Sequence, residues 1–80
     1  MSAHDVTIYW RPGCGFCASL RAALGPDAGR AQWRNIWEDP EAAATVRDLN
    51  DGNELVPTVV IDGVGYSNPD PALVHEALLE

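Results

Sequence analysis

The stretch Trp10-Arg11-Pro12-Gly13-Cys14-Gly15-Phe16-Cys17 does most to restrict how this chain can fold. Before it, Val6-Thr7-Ile8-Tyr9-Trp10 is β-branched and aromatic, which is strand composition. After it, Phe16, Leu20 and Leu24 recur every four residues, the spacing of one helix face. Only Arg11-Pro12-Gly13 separates the two patterns. Proline cannot extend a ladder, and glycine frees the backbone to turn. A strand must therefore run almost directly into the mouth of a helix over about Cys14 to Leu24, where Gly25-Pro26 stops it. The only two cysteines sit at that mouth with C-x-x-C spacing. Unsatisfied N–H groups and partial positive charge at a helix N-terminus favour a thiolate. Cys14 is the candidate nucleophile for thiol–disulfide exchange. Cys17, one turn inside the helix, is the more shielded thiol.

The rest of the chain alternates in the same way. Asp27-Ala28-Gly29-Arg30 reads as a loop, and Ala31 to Trp37 as a second strand with Trp33 and Trp37 on one packing face. Asp39 is a good N-cap and Pro40 suits the first helical position, so a helix runs on through Leu49. Asn50-Asp51-Gly52-Asn53 is turn chemistry. Leu55-Val56-Pro57 leads into a third strand, Thr58 to Ile61. Asp62-Gly63 signals a hairpin to Val64-Gly65-Tyr66-Ser67. Asn68-Pro69-Asp70-Pro71 opens a last helix with Asp70 as its cap and Leu73, Val74, Ala77 and Leu78 as its buried face. The order β-α-β-α-β-β-α predicts an α/β fold: a four-stranded mixed sheet flanked by three helices, in one domain over residues 1–80.

Composition narrows the function. A hydrophobic fraction of 46% indicates a folded chain, and a net charge of −7 argues against nucleic acid or an anionic membrane as partner. All five basic residues are arginine: Arg11, Arg21, Arg30, Arg34 and Arg47. No apolar run is long enough to span a bilayer, and Met1-Ser2-Ala3-His4-Asp5 leads straight into the first strand, so the expected location is the cytoplasm. A Cys14–Cys17 bridge closes too small a loop to staple a fold. The spacing reads as redox or as half a zinc site, and only His4 and His75, near opposite ends of the chain, remain as soft ligands. No bound metal or cofactor is expected, and His4 and His75 are read as surface residues.

With C-x-x-C opening the first helix and Val56-Pro57 before the third strand, the chain resembles the thioredoxin fold in its minimal, glutaredoxin form. More narrowly, W-R-P-G-C-G-F-C, N-I-W-E-D-P-E-A-A-A and N-x-x-V-P-T-V followed by N-P resemble the mycoredoxins and their glutaredoxin-like relatives. The resemblance implies a thiol–disulfide oxidoreductase that reduces mixed disulfides between proteins and a low-molecular-weight thiol, mycothiol or glutathione. It implies Cys14 as the attacking thiol, Cys17 as the resolving thiol, a separate thiol reductase system for recycling, and a cis Val56-Pro57 bond. It also keeps two alternatives open. Gly15-Phe16 is the dipeptide of monothiol glutaredoxins that carry a [2Fe–2S] cluster between two chains. A dithiol donor recycled by thioredoxin reductase is the other, although its C-terminal signature is absent from Tyr66 to Pro71.

Six further residues are assigned to substrate. Arg11 lies three residues before Cys14 and can hold an anion. Phe16 either exposes an apolar face beside the sulfur or packs inward. Val56 and Pro57 border the sulfur, and a cis bond leaves the Val56 N–H and C=O free for an extended substrate. Asn68 and Asp70 stand where glutaredoxins carry a glycine pair and an acid that grip glutathione, and the Asn68-Pro69-Asp70 departure suits a different thiol. Arg21 reads as a solvated helix residue, Trp10 as either groove lining or packing, and the protein as a monomer.

Overall fold

A computed structural model describes residues 4–79. The expected run from Met1-Ser2-Ala3 into the first strand, and both ends of the 1–80 span, lie outside the described residues. The elements are β1 (Val6–Trp10), α1 (Gly15–Leu24), β2 (Gln32–Asn35), α2 (Pro40–Leu49), β3 (Thr58–Ile61), β4 (Val64–Ser67) and α3 (Pro71–Leu79). They form one four-stranded sheet in the order β2-β1-β3-β4. β1 pairs parallel with β2, placing Ile8 opposite Trp33, and antiparallel with β3, placing Ile8 opposite Val59. β3 and β4 form the hairpin. The mixed α/β sheet with three helices is the one expected.

The sheet is covered on both faces. Val6 and Ile8 of β1 and Val59 of β3 pack with Leu20 and Leu24 of α1 and Val74, Ala77 and Leu78 of α3. Tyr9 packs the opposite way with Ile36, Val56 and Ala42, Ala43 and Val46 of α2. Successive strand residues point to opposite faces, so a central strand buried on both sides is apolar at consecutive positions. Ile8 and Tyr9 are both buried.

The helix starts follow their caps. Asp39 accepts hydrogen bonds from Glu41 and Ala42 N–H, and Pro40 is the first residue of α2. The Arg34 guanidinium bonds Asp39 and, with these backbone donors, holds its carboxyl below the usual carboxylate range. Asp70 accepts from Ala72 N–H at 2.9 Å. His4 bonds Asp62 at the β3–β4 turn and holds that carboxyl low as well. The turn itself has Asp62 and Gly63 both at positive φ, 50° and 85°, as a two-residue hairpin with right-handed strand twist requires.

Four expectations need correction. Gly25 caps the end of α1 as expected, but Gly25–Arg30 is a 3₁₀ helix where a loop over Asp27 to Arg30 is expected. Pro26 has a φ suited to such a turn, Ala28 is buried by it, and the Ala28 carbonyl takes the Trp33 Nε1–H at 2.7 Å. The second strand ends at Asn35, because the Asn35 side chain accepts Trp37 N–H at 2.9 Å and turns the chain. Trp37 thereby leaves the sheet and is 63% exposed, so it shares no packing face with Trp33. Leu73 is exposed rather than buried. α3 presents Val74, Ala77 and Leu78 at i, i+3, i+4, and Leu73 falls about 100° off that stripe.

Candidate active site

The end of β1 and the start of α1 place the cysteines. Gly13 takes φ of 77°, which a side chain resists, and delivers the chain to Cys14 in extended conformation. Cys14 is the N-cap of α1, so the helix proper starts at Gly15. Its sulfur accepts the Cys17 N–H at 3.1 Å, and its carbonyl accepts Ala18 N–H at 3.1 Å. A sulfur in the N-cap acceptor position gains both a backbone donor and the helix field, and both act more strongly on a thiolate than on a thiol. The two cysteines are paired as a disulfide with Cα atoms 5.2 Å apart. That separation lies in the ordinary bridging range. Cys17 is only 4% exposed, packed against the α2 side of the core, whereas Cys14 is half-buried. Access to the pair is therefore through Cys14.

Val56-Pro57 lies against this sulfur. The bond is cis, as expected. The Val56 carbonyl oxygen is 3.6 Å from Cys14 Sγ, so it faces the sulfur instead of standing free. The Val56 N–H has no hydrogen-bond partner among the described residues. Pro57 is fully buried, which removes its ring from any ligand, and its carbonyl takes the Asn68 N–H at 2.8 Å. Asn68 thus borders this loop through its backbone, while Asp70 is occupied in capping α3.

The loop is held by side chains that local sequence reading passed over. Thr58 is completely buried and donates from Oγ1 to the Leu55 carbonyl at 2.6 Å. Asn50 donates to Thr58 Oγ1 at 3.2 Å and to the Val46 carbonyl at 2.8 Å, and accepts from the Ser67 hydroxyl. One amide thus ties the end of α2 to β3, β4 and the proline loop. In the sequence Asn50 looks like ordinary turn chemistry, and no short-range pattern distinguishes it.

Beside the sulfurs, α1 and the β1–β2 edge enclose a groove of about 200 Å³. Trp10, Arg11, Gly13, Cys14, Cys17, Ala18, Arg21 and Trp33 line it. The Arg21 guanidinium lies 5.1 Å from the Trp33 ring centre, and that of Arg11 lies 5.7 Å from Trp37. Phe16 is 68% exposed, which settles its orientation outward. The expected site residues therefore divide. Arg11, Cys14 and Cys17 share the groove, Val56 touches Cys14 without lining the groove, and Phe16, Pro57, Asn68 and Asp70 do not line it either. Trp10 lines the groove and also packs on the core.

The glutaredoxin family model matches residues 6–65, from the first residue of β1 into β4. Mycoredoxin 1 of Corynebacterium glutamicum is 39% identical over 66 residues, 81% of each chain. A Mycobacterium tuberculosis protein bearing a glutaredoxin name is 34% identical over 76 residues, 94% of this chain and 90% of that one. A solvent-accessible sulfur capping a helix, a second one buried a turn below it and a family match running from β1 into β4 lead to one assignment: the chain belongs to the glutaredoxin family of thiol–disulfide oxidoreductases.

Proposed function

We propose that the protein reduces mixed disulfides between proteins and a low-molecular-weight thiol, mycothiol in the first instance, in the cytoplasm and as a monomeric single domain. The observation that carries this reading is the Cys14 sulfur at the N-cap of α1, accepting the Cys17 N–H, with Cys17 buried below it. The likeness to mycoredoxin 1 supports the choice of mycothiol over glutathione.

The chemistry is two successive exchanges. The Cys14 thiolate attacks the small-thiol sulfur of the mixed disulfide. A bond forms between Cys14 and that sulfur, and the protein thiolate leaves and takes up a proton. A second molecule of small thiol then attacks the small-thiol sulfur joined to Cys14, releases the oxidised small thiol and restores the Cys14 thiolate. In the side branch, Cys17 attacks Cys14, expels the reduced small thiol and leaves the Cys14–Cys17 disulfide. A thiol reductase system returns the oxidised small thiol to the reduced pool. Phe16, Val56, Asn68 and Asp70 are proposed to guide substrate from the rim, with Arg11 as the anion contact. Pro57 takes part through the backbone of its loop.

Recycling of the oxidised protein by mycothiol with its reductase, by glutathione with its reductase and by thioredoxin reductase, compared side by side, tests the proposal. Mycothiol is expected to give the fastest turnover. Equal or faster turnover with either other system overturns the assignment of the thiol. In the same assay Cys17→Ser is expected to keep turnover within about threefold of the parent, since the two-exchange route does not use Cys17. Complete loss shows that the internal disulfide is an obligatory intermediate.

A further inference from the structure

The groove between α1 and the β2 edge has a charge that the rest of the molecule does not share. The chain carries twelve acidic residues against five arginines. Three arginines are matched by carboxylates: Arg30 with Asp27, Arg34 with Asp39 and Arg47 with Glu54. Arg11 and Arg21 make no ion pair among the described residues, and these two line the groove beside the sulfurs. No acidic residue lines it. Arg21 is held over Trp33 at 5.1 Å, so its guanidinium is oriented against an aromatic wall while its N–H groups have no carboxylate. In an acidic protein, two uncompensated guanidiniums beside one reactive sulfur attract a carboxylate locally. More distant carboxylates are screened beyond about 8 Å at physiological salt.

We infer that this groove is a carboxylate-binding subsite for the protein half of the mixed disulfide, taking an acidic side chain close in sequence to the partner's cysteine. The inference rests on the reading of the substrate given above. The position of the groove argues for the protein half. Val56, Pro57 and Asn68 do not line it, although Val56 touches the Cys14 sulfur, so those residues are left to the small thiol. Trp10 and Trp33 supply apolar area for the stem of a glutamate or an adjoining side chain, and Arg21 and Arg11 each supply guanidinium donors.

The test uses two peptide mixed disulfides that differ only in having glutamates or glutamines on both sides of the cysteine, each joined to mercaptoethanol as an uncharged small thiol. The native protein is expected to favour the glutamate peptide in kcat/KM by about fivefold, with the preference shrinking as salt is raised. Arg21→Gln should bring the ratio close to one, and Arg21→Glu should turn the preference toward a peptide with lysines at the same positions. Arg21 is exposed on α1, so both variants keep the core. A ratio near one in the native protein, or a ratio unchanged in both variants, overturns the subsite. So does an equal Arg21-dependent gain when the glutamine peptide is joined instead to a carboxylate-bearing small thiol, because the groove then serves the small thiol. Failure of the native protein to turn over any of these substrates is a different result, and it removes the proposed reaction along with the subsite.

Discussion

Cys14→Ser is expected to lower turnover of a protein–thiol mixed disulfide by at least about a thousandfold, with the fold intact. A hydroxyl at the N-cap still accepts the Cys17 N–H, so α1 keeps its cap. What it cannot do is form the sulfur–sulfur bond of the intermediate, and at neutral pH it supplies almost no anion. Cys17 offers no substitute, since it is 4% exposed and packed in the core. A companion measurement reads the cause directly. Thiolate absorbance of the reduced protein should show one thiol titrating well below the free-cysteine value of about 8.5, and Cys14→Ser should remove that titration. Turnover retained within about tenfold would transfer the nucleophile to Cys17 and overturn the argument from access.

Ile8→Ala is expected to be the most damaging single truncation of the scaffold, at about 3–4 kcal/mol. Ile8 is fully buried in the central strand, paired on one side with Trp33 and on the other with Val59, and packed in the α1–α3 face of the core. None of these neighbours can move into the space without breaking a strand register or a helix contact. For a domain of this length the whole stability is on the order of 4–12 kcal/mol, so the midpoint of thermal unfolding under reducing conditions should fall by about 15 °C or more. Val64→Ala on the exposed edge strand β4 is the control, with a change within about 0.5 kcal/mol. A loss below about 1 kcal/mol for Ile8→Ala would mean that the core closes over the gap, against the packing described here.

Much of the scaffold was legible locally, and the errors have common causes. β1, β3, β4 and the caps at Asp39 and Asp70 follow from residues within a few positions of each other. Ile36 and Trp37 look like strand residues, so the sequence predicts too long a second strand, whereas the Asn35 side chain turns the backbone before them. Local composition does not show the 3₁₀ helix over Gly25–Arg30, because it is held by side-chain contacts: Trp33 Nε1–H donates to the Ala28 carbonyl five residues earlier, and His75 of α3, 48 residues away, meets Asp27 at 2.9 Å. Leu73 reads as a core residue because an apolar helix of nine residues does not reveal which stripe faces the sheet.

The sequence by itself determined where the two cysteines sit and which of them caps the helix. A strand, a three-residue turn and a helix opening at Cys14 leave little choice about where the sulfur sits, since capping is a matter of backbone direction over a few residues. Tertiary structure alone decided what surrounds that sulfur. The Val56 carbonyl comes from 42 residues away, Pro57 proves buried, Asn50 emerges as the tie behind the loop, and Arg21 with Trp33 forms a groove wall. The physical reason is range. Caps and turns are settled by bonds between near neighbours, whereas burial, charge compensation and groove shape depend on which strands lie side by side, here β2-β1-β3-β4.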